Sequence, residues 1–221
     1  MHNEMTNIYK TLEATAANVL TLLQREGTRI LTPNAVNSPR AVGDTVQEFL
    51  ASEQGLSTCF PEWFTADFES GFARRSMEDM AFQSGTHYFA VDCKTHNLNT
   101  DFNMPNLISV RRLANFYAND TNTFCLLIVE YTVENGLIEY RNCYFKPIEA
   151  LDWDCLTFGA LGWGQIQIAN ANILHFINNI DRKAWMIELC DRIDAFYCEE
   201  IGKIGTRRQW FDNIRQYWIN K

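Results

Sequence analysis

The chain has 221 residues, 47% hydrophobic and 13% aromatic, with 19 Lys and Arg against 27 Asp and Glu for a net charge of −8. This composition excludes a disordered chain and a general nucleic-acid coat, whose affinity would come from phosphate neutralisation by Lys and Arg. No apolar run is long enough to span a bilayer, and residues 1–26 lack the basic end and hydrophobic centre of an export signal, so a cytoplasmic protein with no membrane partner is expected.

Residues 4–26 place Ile8, Leu12, Val19, Leu20, Leu22 and Leu23 at helical spacing and stop at Gly27, which predicts an amphipathic helix for dimerisation or core packing. After a turn-rich loop, residues 42–54 form a second predicted helix with Val46, Phe49 and Leu50 on one face. Asp44 and Glu48, four apart, are neighbours on the other. Trp63, Phe64, Phe68 and Phe72 are spaced as a buried helical stripe over 61–72. Residues 79–82 and 86–92 then read as two arms of a β-hairpin turned through Ser84-Gly85.

A polar loop over 96–104 leads to a predicted helix, capped by Asn103-Met104-Pro105 and running to about 118, with Leu107, Ile108, Leu113 and Phe116 inward. Residues 124–133 and 137–148 form a second hairpin around Glu134-Asn135-Gly136. Gln165-Ile166-Gln167-Ile168 alternates as a strand does, exposing its glutamines on one face. From Asp181 the pattern is helical: Trp185, Leu189, Ile193, Phe196 and Tyr197, then a final helix from about 206 with Trp210, Phe211, Ile214 and Trp218. These are core and interface positions. The expected fold class is α/β (α+β), one domain over 1–221 with a mixed β-sheet flanked by helices.

The chemistry concentrates in residues 76–110. Alternate residues of a strand share a face, so Asp92 and Lys94 emerge side by side while Val91 and Cys93 turn into the core. The hairpin brings Asp79 beside them. Two carboxylates suit a hard cation: Mg²⁺ accepts one or two and keeps water and phosphate oxygens as its other ligands. An adjacent Lys can orient the attacking water and offset transition-state charge, which points to metal-assisted phosphodiester hydrolysis. An Asp-x-Lys triplet alone arises by chance in roughly one such chain in three, so the context carries the argument.

That context, Asp79, then Asp92-Cys93-Lys94-Thr95, Asn97 and Pro105-Asn106-Leu107-Ile108-Ser109, resembles the PD-(D/E)XK nuclease core. Within that superfamily it is most similar to type II restriction endonucleases of the EcoRV-like branch. The likeness is gap-free over 79–109 and looser at 42–50 and 159–200. It departs where the family has Pro-Asp and this chain has Glu78-Asp79; the hairpin spacing favours Asp79 as the ligand.

The resemblance implies a restriction-endonuclease-like core and Mg²⁺, with Mn²⁺ substituting, held by Asp79, Asp92 and Cys93. It gives Lys94 the positioning of the water and Glu48 the part of auxiliary acid, with Asp44 as rival. Thr95, Asn97, Asn99, Asn103 and Asn106 would contact DNA, as would Gly162, Gln165, Gln167 and Asn170 in a recognition segment over 151–180. It further implies a homodimer on palindromic double-stranded DNA, blunt cuts with 5′-phosphates, and a cognate DNA methyltransferase in the same system.

Between Pro147 and Asp181 there is no Lys or Arg, but Gln165, Gln167, Asn170, Asn172, Asn178 and Asn179 are present. Guanine is most often read by Arg or Lys and adenine by Asn or Gln, so an A·T-rich site is expected. Arg74-Arg75, Arg111-Arg112 and Arg207-Arg208 could line the cleft against the acidic background. The seven cysteines form no C-x-x-C pair and read as reduced, buried thiols. His2, His87, His96 and His175 show no zinc spacing, and His96 reads as a loop residue. Two alternatives stand beside this reading. One is a repair or junction-resolving nuclease of the same superfamily; the other is a non-enzymatic interaction domain in which Asp92 and Lys94 merely pair.

Overall fold

The computed structural model describes residues 2–31, 38–73, 76–100, 106–169 and 173–221. In chain order its main elements are α1 (His2–Ile30), α2 (Pro39–Ala51), β1 (Asp67–Ser70), β2 (Met80–Ser84), β3 (His87–Asn97), β4 (Asn106–Ser109), α3 (Val110–Phe116), β5 (Asn122–Glu134), β6 (Leu137–Pro147), β7 (Leu156–Gly159), β8 (Gln165–Ile168) and α4 (Arg182–Ile219). The fold is mixed α/β. A five-stranded sheet runs β1-β2-β3-β5-β6, with β3 and β5 parallel and the other neighbours antiparallel, and a three-stranded antiparallel sheet runs β4-β8-β7.

The large sheet is covered on both faces, and the period of two sorts the side chains of β3 and β5 into separate cores. Phe89, Val91, Cys93, Leu127 and Val129 join α1 and α2 in the first core. Ala90, Leu126 and Ile128 join Leu113, Trp153, Ile166, Trp185 and Leu189 in the second, under the small sheet and the start of α4. Phe82, stacked on Phe89 at 4.5 Å between ring centroids, anchors the first core.

Both predicted hairpins form. The first turns with Gly85 at φ +59°, the second at Asn135 (φ 53°) and Gly136 (φ 75°), two consecutive left-handed residues of the kind that tight hairpins require. Asp181 caps α4, its carboxylate accepting from the Ala184 amide at 3.0 Å.

Four expectations are corrected. The first helix does not stop at Gly27, because that glycine serves close packing: a Cβ there would run into the Tyr140 ring. Residues 61–72 are not helical. Phe68 lies in β1 opposite Phe82, and Trp63 is 71% exposed. Leu107 and Ile108 belong to strand β4, whose backbone pairs with β8, and the helix starts only at Val110, capped by Ser109 Oγ accepting from the Arg112 amide at 3.3 Å. A short apolar pair fits a helix face and a buried strand equally, and the free edge of β8 decides it. The expected cap at Asn103-Met104-Pro105 lies outside the described residues. Finally, the two C-terminal helices are one, which runs from Arg182 to Ile219 straight through Gly202 and Gly205.

All seven cysteines are free; Cys190 and Cys198, on α4, are exposed, against the expectation of buried thiols, while the other five are buried or half-buried. No described helix is long and apolar enough to cross a membrane.

Candidate active site

The site forms where the first hairpin meets α2 on one side and the small sheet on the other. Asp79 precedes β2, and its amide donates to the Val91 carbonyl at 2.9 Å. That pairing turns its carboxylate onto β3. Asp79 Oδ2 accepts from the Cys93 amide at 2.8 Å and Oδ1 from Gln47 Nε2 on α2 at 2.8 Å. Asp92 and Lys94 emerge together from β3, with Lys94 Nζ donating to Asp92 Oδ1 at 2.7 Å. Asp92 is buried, and its Oδ2 has no hydrogen-bond partner among the described residues.

The electrostatics follow from burial. Desolvation pushes the Asp92 carboxyl up to about 7; Lys94 pulls it down and Asp79 pushes it further up. Burial alone would lower the Lys94 ammonium, but Asp92 and Asp79 outweigh it and raise its pKa. A buried carboxylate oxygen left unpaired costs on the order of 1–3 kcal/mol or more unless something binds it.

Two clefts open onto this centre. Asp92 lines one of about 140 Å³ with Ser76, Ser109, Arg112 and Gln165. Asp79 lines another of about 250 Å³ with Asp44, Gln47, Glu48 and Phe72. Both expected auxiliary acids therefore face the Asp79 cleft, yet the side chain that touches Asp79 is Gln47. It was legible only as the residue beside the buried Val42, Val46 and Leu50 stripe of α2.

The residues fit a hard cation. Asp92 Oδ2 is unpartnered, while Asp79, close enough to raise the Asp92 carboxyl, has its two oxygens taken by the Cys93 amide and Gln47. Among the described residues no group of three or more His, Cys, Asp or Glu comes together around them. The Cys93 thiol faces the first core, as its place on the strand predicts, and burial pushes its pKa well up. What Cys93 presents to the site is its carbonyl, which accepts from Lys94 Nζ at 3.5 Å.

Thr95 turns the other way, toward Gly43 of α2. Asn97 and Asn99 tie down the end of β3, Asn97 Oδ1 accepting from the Asn99 amide at 2.9 Å and Asn99 Oδ1 from the Val133 amide of β5 at 2.7 Å. Asn106 and Gln167 bond each other across β4 and β8. Gln165, with its amide oxygen toward β4, accepts from the Ile108 and Ser109 amides at 3.2 Å each. Gly162, at φ +59°, lies in the β7–β8 turn. Asn103, Asn170 and the pair Arg74-Arg75 lie outside the described residues. Arg111 stacks over the exposed Trp163 ring at 5.1 Å, and Arg112 lines the Asp92 cleft.

His96 is not a loop residue. It ends the row Asp92, Lys94, His96 on β3, buried 3.5 Å from Glu130 Oε1 on β5. Burial would raise the Glu130 carboxyl, but His96, Asn142 and Tyr144 outweigh it and hold it low.

No protein-family model matches the chain, and no curated protein matches it.

Proposed function

We propose that this protein is a Mg²⁺-dependent, site-specific endonuclease acting as a homodimer on palindromic double-stranded DNA. The observation that carries this reading is the buried Asp92 carboxylate. One oxygen is held by Lys94 at 2.7 Å, the other is unpartnered, and Asp79 is fixed alongside by the amide of the intervening Cys93. Asp79 and Asp92 would hold the ion, which when bound polarises a phosphoryl oxygen and lowers the pKa of water. Lys94, anchored by Asp92, presents its ammonium to the attacking water and to the charge that develops on the phosphate. Asp79 keeps its orientation through Gln47 and Cys93, so the two carboxylates need not reorganise during the reaction.

Recognition is assigned to the small sheet, which borders the Asp92 cleft through Gln165 and Ser109. An A·T-rich site belongs to the same reading: Gln165, and the Asn106–Gln167 pair once it opens to a base edge, would suit adenine. Blunt ends with 5′-phosphates, Mn²⁺ substitution and a cognate methyltransferase belong to the same reading.

The test is digestion of supercoiled plasmid with Mg²⁺, followed by end mapping. Discrete fragments with a common sequence, lost on chelation and reduced at least a thousandfold in Lys94→Ala, are expected. Nicks only, or cutting confined to mismatches or junctions, would move the protein to a repair enzyme. Cleavage unaffected by Lys94→Ala would remove the site altogether.

A further inference from the structure

Helix α4 begins as part of the domain. Trp185 and Leu189 are buried in the second core, and the Tyr197 hydroxyl donates to the Trp163 carbonyl at 2.7 Å. Beyond that point it stands alone. Every residue from 201 to 221 is exposed, and a Cβ added at Gly202 or Gly205 would meet nothing. This segment nevertheless carries Ile201, Ile204, Trp210, Phe211, Ile214, Tyr217, Trp218 and Ile219, exposed by 37–70%. A helix of this length with two interior glycines is marginal in water by itself, each glycine costing about 1 kcal/mol relative to alanine. Its helicity and its aromatic surface both call for a covering partner.

Charge selects that partner. Residues 201–221 hold five cations, Lys203, Arg207, Arg208, Arg215 and Lys221, against Asp212, a net +4; with −8 for the whole chain, residues 1–200 carry −12. Two such arms repel each other and each is attracted to the body of another copy. That body has a surface of matching chemistry. Residues 41–73 contain six acids, all exposed, and no Lys or Arg; Glu53, Glu62, Asp67 and Glu69 are the four that follow α2. Beside them Trp63 lies 71% exposed at a cleft of about 360 Å³ lined by Phe64, Asp67 and His87.

We propose that residues 201–221 form a basic aromatic arm that docks reciprocally on the acidic face around Trp63 and Asp67 of a second copy of this chain, making a two-fold dimer. Four aromatic side chains per arm, each able to bury roughly 150–250 Å², together with four isoleucines and the surface they cover, meet the roughly 800 Å² per partner of a stable interface. The arm would span about 30 Å at 1.5 Å per residue, a reach on the scale of a domain. The proposal rests on the homodimer of the proposed function and names the contact that joins it: a dimer that survives reversal of the arm overturns this contact and leaves that reading standing, whereas a monomeric unaltered chain removes both.

The experiment is the mass in solution of the full chain and of its variants, by light scattering and sedimentation equilibrium at micromolar concentration. The unaltered chain should have twice its 25.6 kDa mass. Arg207→Glu/Arg208→Glu/Arg215→Glu should weaken the dimer at least tenfold, as should Trp210→Ala/Phe211→Ala/Trp218→Ala, with the thermal midpoint of the domain retained in the monomer. Adding Glu62→Lys/Asp67→Lys/Glu69→Lys to the charge-reversed arm should restore the dimer. A monomeric unaltered chain, an arm-reversed chain that stays dimeric, a double reversal that fails to reassociate, or a monomer whose arm binds anionic phospholipid vesicles would each overturn the proposal.

Discussion

Gln47 of α2 and Asp79 before β2 are joined by a 2.8 Å hydrogen bond, so a helix that packs on one core fixes the carboxylate that faces the proposed metal. Gln47→Ala leaves Asp79 held by the Cys93 amide alone. The Mg²⁺ concentration for half-maximal cleavage is expected to rise roughly 10- to 100-fold, the usual loss when a group that orients a ligand is removed. Cleavage rates across a Mg²⁺ titration check this; an unchanged midpoint would mean that Gln47 does not position the site.

Asp92 ties stability to pH. Its folded pKa of about 7 lies above the ordinary 3.8, so between these values the folded chain holds a proton that the unfolded chain releases. Without divalent ions, stability therefore falls as pH rises from about 4 to about 7. Mg²⁺ binding near pH 6.5 should release protons and flatten the dependence. Thermal melts in chelator across this range, beside Asp92→Asn, test the sign; a slope unchanged in Asp92→Asn would assign it to other groups.

Glu149 is fully buried and is held by Arg182 and by the Tyr117 hydroxyl at 2.7 Å. The same guanidinium reaches the Asn122 carbonyl at 2.8 Å and Thr123 Oγ1 at 2.9 Å, fastening the start of α4 to β5. Arg182→Ala strands a buried carboxylate and should cost about 3–5 kcal/mol in urea unfolding. Adding Glu149→Leu should recover most of it, because the orphaned charge is then gone.

Gln165 borders both the small sheet and the Asp92 cleft. Gln165→Ala is expected to relax preference at one base pair by roughly 10- to 100-fold, the worth of one good base contact. Competitive cleavage of a randomised-site library measures this. A uniform fall over all sequences would assign Gln165 to scaffold support.

Most of the candidate site was readable because it stands on a strand. Period-two alternation placed Asp92 with Lys94, and the Ser84-Gly85 turn brought Asp79 to them. Gln47 was not readable, since one residue of helical phase separates it from Glu48 and only tertiary packing chooses between them. Asn97 and Asn99 look like recognition residues in sequence, but their carbonyl oxygens accept backbone amides of the turn after β3 and of β5, a demand that composition does not reveal. Residues 61–72 and 106–109 were misread as helical because short apolar runs carry no decisive period, and pairing with β2 and β8 settled them.

Because Asp92 and Lys94 lie on the β3 face that Ala90 gives to the second core, the groups that would cut stand on the same packing as β4 and β8, and Asp92 opens onto a cleft beside Leu107, Ile108 and Gln165. Substitutions beneath the small sheet would therefore reach the proposed chemistry and the proposed choice of target together.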